Sequence, residues 1–206
     1  MKYPVNETFY SLKGEGRWTG HPMFFIRLSG CNVNCSWCDT PHQTFEWRDV
    51  GSLIKEAKNY PTNKIVITGG EPLIHDLSLL LSEFRKLGYS THLETNGAII
   101  PRPHYRFSWI AASPKNLAFK SEAIQMADEV KCLVGIPSWK LIAIFVKVHA
   151  KPDAYLYLMP LAKSWQEGER TERDLLQDNI QEAIDYCLAN PRFGLCMQLH
   201  KILRIK

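Results

Sequence analysis

No apolar run in this chain is long enough to cross a bilayer. The longest, such as Leu141–Val146 and Leu79–Leu81, fall far short of the roughly 20 residues that a spanning helix needs, so no membrane role is expected. The opening MKYPVNE lacks the apolar core of a secretion signal, and a cytoplasmic protein is expected. Clusters of Lys or Arg are also missing. A net charge of +4 is spread along the 206 residues, which marks no surface for direct nucleic-acid binding but suits a phosphate or carboxylate ligand. Export signals being absent, the six cysteines do not read as a disulfide framework; in a reducing compartment, clustered thiols bind metal or do chemistry.

What is present fits one compact domain, 1–206, with 45% hydrophobic and 22% charged residues. After a polar, turn-rich opening, PMFFIRL (22–28) reads as a buried strand that leads into a cysteine loop at 29–44. Helical spacing over 49–60 precedes the β-branched strand KIVITGG at 64–70. Asp76 can cap a helix running to Leu87, followed by strands at 89–93, 107–112 and 129–135. A helix over 138–150, a strand over 154–159 stopped by Pro160, a helix over 171–189 and a strand over 193–198 complete the series. This alternation predicts an α/β fold with a mostly parallel sheet, either open or an incomplete (β/α) barrel. The cysteine loop, TGGEP, ETNG and SPK all follow predicted strands, which places them together on the carboxyl rim of the sheet.

Cys31, Cys35 and Cys38 form C-x3-C-x2-C in a flexible loop. Structural zinc takes a closed shell of four ligands, and an iron–sulfur cubane normally takes four cysteines. Three therefore leave an open position for a substrate or cofactor, unless His42 or Asp39 completes a zinc knuckle. In TGGEP, Gly69 and Gly70 let backbone approach a ligand closely, and Glu71 can meet an ammonium group. GGEP also reads as a simple turn.

The motif C-N-V-N-C-S-W-C resembles the signature of the radical S-adenosylmethionine superfamily. The resemblance implies a [4Fe-4S] cluster on Cys31, Cys35 and Cys38, whose unique iron chelates the amino and carboxylate groups of S-adenosylmethionine. Reductive cleavage then yields a 5′-deoxyadenosyl radical, and the cofactors carry the difficult chemistry. By the same resemblance, Trp37, Cys38 and Asp39, the methionine-binding loop Gly69–Glu71, Gly97, the loop of Ser113, Pro114 and Lys115, and Met159 with Pro160 bind the cofactor.

With YSLKGEG (10–16), LETNG (93–97) and the ending MQLHKILRIK included, the chain is similar from end to end to the 7-carboxy-7-deazaguanine synthase family. The likeness implies a lyase that converts 6-carboxy-5,6,7,8-tetrahydropterin to 7-carboxy-7-deazaguanine with loss of ammonia, for queuosine biosynthesis. It also implies magnesium held by Thr40, a homodimer, and an external electron donor such as a flavodoxin or ferredoxin. Leu12, Lys13, Gly14, Glu15, Thr95, His200 and Lys206 are the implied substrate contacts. To these we add Arg27, whose planar fork suits a substrate carboxylate and equally suits a structural one. The family usually has glutamine at Lys13 and commonly at Met159, so this chain departs from the pattern at both. Apolar Leu199, Ile202, Leu203 and Ile205 predict a packed tail rather than a frayed one. Cys132, Cys187 and Cys196 read as buried thiols, and His21, His42, His75, His92, His104 and His149 show no ligand spacing. Competing readings are a glycyl-radical-enzyme activase and a nonenzymatic iron–sulfur or zinc-binding interaction protein.

Overall fold

A computed structural model describes residues 1–41, 43–161 and 177–206. The opening segment departs from the predicted turns: Lys2–Leu12 forms β1, and a second unforeseen strand, β3, spans Glu46–Asp49. Between Val5 and Glu7 the register of β1 shifts. An extra residue in one strand flips the faces that follow. Tyr3 and Val5 accordingly pack in the main core, whereas Glu7 and Phe9, of the same odd parity, line the cavity described below. This switch breaks the alternation by which a strand is recognised.

β1 lies between β3 and β2 (Pro22–Leu28) and is antiparallel to both. From β2 onward every pairing is parallel: β4 (Lys64–Gly69), β5 (Ser90–Thr95), β6 (Trp109–Ala112), β7 (Glu129–Val134), β8 (Tyr155–Pro160) and β9 (Phe193–Leu195) follow in chain order. Sequential parallel strands are barrel topology, and the two sheet edges, β3 and β9, do not pair. The result is the incomplete (β/α) barrel.

Helix α1 (Val50–Ala57) starts where the Asp49 side chain accepts from Ser52 N at 2.9 Å, and it ends three residues before the expected Tyr60. α2 covers Ser78–Lys86; Asp76 Oδ1 accepts from Ser78 N at 2.9 Å, just outside the first turn. A short α3 (Ser121–Met126) was not signalled by periodicity, and α4 spans Trp139–His149. α5 covers Gln177–Ala189; the earlier part of the helix expected from 171 lies outside the described residues, as does His42. No helix among the described residues is long and apolar enough to cross a membrane.

The outer sheet face, with Phe24, Ile26, Ile65, Ile67 and Leu93, packs with the helices into one core. On the inner face, Met23, Phe25 and Val66 join Phe9 and Trp18 in a smaller cluster. The Trp18 ring stands edge-on to His92 and Trp109 at 5.3 and 5.8 Å, closing the barrel near the amino ends of its strands. The predicted strand over 193–198 is a correction: β9 ends at Leu195, and the chain turns into helix α6, Leu199–Leu203. The reason given for a packed tail also fails, because Ile202, Leu203 and Ile205 are exposed.

Candidate active site

Above the aromatic floor, the carboxyl rim holds a cavity of about 670 Å³. That is ample for a small molecule or cofactor. Cys31, Cys35, Cys38, Trp37, Asp39, Thr40, Gly69, Gly70, Ser113, Lys115 and Met159 line it, together with Leu12, Lys13, Gly14, Glu15, Arg27, Thr95, His200 and Lys206. Residues separated by most of the chain therefore meet in one chamber. Its walls carry seven Lys and Arg against four Asp and Glu, which favours an anionic ligand group.

Burial pushes the Cys35 thiol up; Lys115 opposes this, while Cys38 and Cys31 add to it. The three sulfurs thus share one electrostatic environment. Among the described residues, no three His, Cys, Asp or Glu side chains stand close enough to hold a single metal ion. Three cysteine thiols facing one cavity, one thiolate per iron, are a donor set that fits a cubane with one open iron.

The TGGEP glycines have a second neighbour besides the cavity. A Cβ on Gly69 would lie 2.0 Å from Leu28 O, and one on Gly70 would lie 2.1 Å from Gly30 O and 2.9 Å from Cys31 Cβ. Gly70 N donates to Leu28 O at 3.1 Å and Glu71 N to Gly30 O at 2.9 Å, so this loop presses directly on the cysteine loop. The Glu71 side chain is 0% exposed, is not among the residues that line the cavity and is taken up by protein partners. Oε2 accepts from Asn96 N at 2.7 Å, and Oε1 from Leu73 N at 3.1 Å and Thr95 Oγ1 at 2.9 Å. Burial raises its pKa, against these bonds. Glu71 ties two rim loops together, and Thr95 turns its hydroxyl to that carboxylate. Gly97, Pro114 and Pro160 are likewise not among the residues that line the cavity.

Arg27 meets a protein partner: Nε donates to Glu7 Oε1 at 2.9 Å and Nη1 to Thr40 Oγ1 at 3.3 Å. Ser113 Oγ accepts from Lys115 Nζ at 2.9 Å. Asp39 pairs with Lys201 at 2.9 Å; burial raises its pKa, but the Lys201 ammonium outweighs it and the net shift is downward. Tail polar groups do what its apolar residues were expected to do. Leu199 N donates to Gly14 O at 2.9 Å, the His200 ring covers Gly14, and Lys206 Nζ meets Glu7 at 2.8 Å. Burial, ahead of the neighbouring charges, lowers the His200 pKa.

The cavity wall also carries a row of buried charges in which Lys13 and Glu15, expected as substrate contacts, meet Lys131 and Glu94, to which the sequence assigned no site role. Lys131 Nζ lies 2.8 Å from both Glu15 Oε2 and Glu94 Oε2; Lys13 pairs with Glu94, and Gln198 Nε2 donates to Glu15 Oε1 at 2.8 Å. Glu15 is thus neither solvated nor alone. Burial opposes ionisation throughout, yet Lys131 and Lys13 hold Glu15 well below the usual range, and Lys13 followed by Lys131 lowers Glu94. Glu15 and Glu94 in turn hold Lys131 well above its ordinary value against burial. A signal was available in EVKCLV, where Glu129 and Lys131 alternate with Val130 and Cys132 in an entirely buried strand.

Residues 25–105 match the family model described as the radical SAM superfamily. Over 211 residues the chain is 35% identical to the 7-carboxy-7-deazaguanine synthase of Synechocystis sp., covering 100% of this chain and 95% of that protein. The enzyme of the same name from Escherichia coli is 32% identical over 238 residues, with 100% of each covered. The crystal structure of QueE from Escherichia coli superposes with a TM-score of 0.77 at 31% identity, over 97% of this chain and 95% of that one. With its cysteine loop on the rim of an incomplete barrel, and with these likenesses running its full length, the chain belongs to the 7-carboxy-7-deazaguanine synthase family.

Proposed function

We propose that this chain converts 6-carboxy-5,6,7,8-tetrahydropterin to 7-carboxy-7-deazaguanine with loss of ammonia, acting as one domain over residues 1–206. The observation that carries the reading is the meeting, in one cavity, of the three cysteines with Arg27, Thr40 and the residue 12–15 segment, in a chain alike from end to end to enzymes of that name. Superfamily membership implies a [4Fe-4S] cluster and S-adenosylmethionine. When bound, these supply a 5′-deoxyadenosyl radical that takes a hydrogen atom from substrate.

Cys31, Cys35 and Cys38 would hold the cluster. Trp37, Asp39, Gly69, Gly70, Ser113, Lys115 and Met159 face the cavity from around it and are the cofactor-side wall. Glu71, Gly97, Pro114 and Pro160 would support that wall from adjoining positions in the chain. Arg27 would hold the substrate carboxylate through the part of its fork turned away from Glu7, and Thr40 would offer its hydroxyl to a water-rich magnesium ion. Leu12, Lys13, Gly14, Glu15, Thr95, His200 and Lys206 border the remaining space. Their task is to hold one C–H bond in place and keep water and other hydrogen donors out. Family membership further supports a homodimer, a flavodoxin or ferredoxin as reductant, and a cytoplasmic setting.

The test is anaerobic. Cluster-reconstituted protein with reductant, magnesium, S-adenosylmethionine and the carboxypterin should release 5′-deoxyadenosine and the deazaguanine together. Cys31→Ala, Cys35→Ala or Cys38→Ala should abolish both products. Nucleoside release without pterin turnover would point to another radical substrate, and stoichiometric zinc without iron would sink the radical reading.

A further inference from the structure

Glu15, Lys131, Glu94 and Lys13 form a row of alternating charge through the barrel interior, joined by contacts of 2.8 Å on either side of Lys131. The Lys131 side chain is 1% exposed. Such pairs are a poor device for stability, since apolar residues of similar volume usually do as well or better. This row also lies not in sealed core but along the cavity wall, where all four residues face the ligand space. Each carboxylate oxygen accepts one bond from the protein: Gln198 and Lys131 serve Glu15, and Lys13 and Lys131 serve Glu94. A carboxylate offers about four lone-pair sites, so each keeps acceptor capacity.

We propose that Lys131 is a positioning residue for the substrate: its one buried ammonium sets Glu15 and Glu94 side by side as ionised acceptors for the amino and ring N–H donors on the pyrimidine edge of the carboxypterin. This rests on the proposed function. Lys13 completes the row from its far end, where its ammonium pairs with Glu94. The two carboxylates then match a donor–donor edge and repel an edge that presents an oxygen in place of the amino group. A site built to pair a substrate N–H discriminates strongly against an analogue that lacks it.

The test compares the carboxypterin with its 2-oxo lumazine counterpart on cluster-loaded protein with S-adenosylmethionine. Dissociation constants come from equilibrium titration and KM and kcat from turnover. Lys131→Met should raise the carboxypterin KM about tenfold or more with a much smaller change in kcat, and should collapse the preference over the lumazine by a similar factor. Lys131→Arg, which restores the cation, should recover most of the preference. Preference retained within about twofold in Lys131→Met overturns the proposal, whatever happens to kcat. Should that variant lose its cooperative melting, Glu94→Gln decides: it keeps the shape but not the charge, and an unchanged preference is equally fatal. Turnover by the wild type reports on the proposed function and the binding ratio on Lys131; failure of the wild type to bind the carboxypterin overturns both.

Discussion

At the scale of single residues, burial decides what each charged or titratable group can do. His92 sits on the barrel floor, 2% exposed, with Nδ1 unpartnered among the described residues, and burial, followed by Lys13, pulls its pKa to about 4. The unfolded chain binds a proton near the ordinary value of 6.5, so the unfolded state carries more protons between those values and stability falls as pH drops through that window. Lowering pH from 7 to 4.5 should cost the native state on the order of 2 kcal/mol through this group alone. His92→Phe should remove that part of the acid sensitivity in urea melts at the two pH values; an unchanged difference would show the histidine to be accessible to protons. Glu71 carries a related lesson. In sequence, a glutamate after two glycines invites a ligand, but what reveals its role is the loop it meets, Thr95–Asn96, which lies 24 and 25 residues away. Sequence disclosed the residue's importance and not its partner.

At the scale of elements, the parallel half of the sheet was legible because each strand is a short apolar run followed by a helix or a glycine turn. β1 was not, since its bulge exchanges the two faces midway. β9 and α6 were misread for a different reason: Ile202 and Leu203 are exposed, and the tail is positioned by Gly14, Asp39 and Glu7 instead. The contact between the TGGEP and cysteine loops belongs to this scale as well. Gly70→Ala would drive a methyl into Gly30 O and Cys31, and overpacking of this kind costs about 1–3 kcal/mol. We expect the displaced cysteine loop to lower iron content per chain after reconstitution, with Cys31 the thiol that moves; full iron loading would show that the two loops are independent.

At the scale of the whole molecule, α6 and the residues after it form one wall of the cavity without entering the core. Removing residues 199–206 deletes the ion pairs Lys201–Asp39 and Lys206–Glu7 and the Leu199 N–Gly14 O hydrogen bond, each worth about 1 kcal/mol or less. The truncated chain should therefore melt close to the full one, yet bind the carboxypterin at least about tenfold more weakly, read by equilibrium titration. A matching collapse in melting temperature would make the tail structural instead.

The same wall has a consequence for synthesis. Chains emerge at about 5–20 residues per second, so the cysteine loop is made roughly 8–30 s before the segment from Gln198 to Lys206 that encloses it. During that interval three thiols stand ready while one side of their chamber does not yet exist. Cluster delivery has its widest access then, and each later turn of the chain narrows the route by which iron, or oxygen, can reach them.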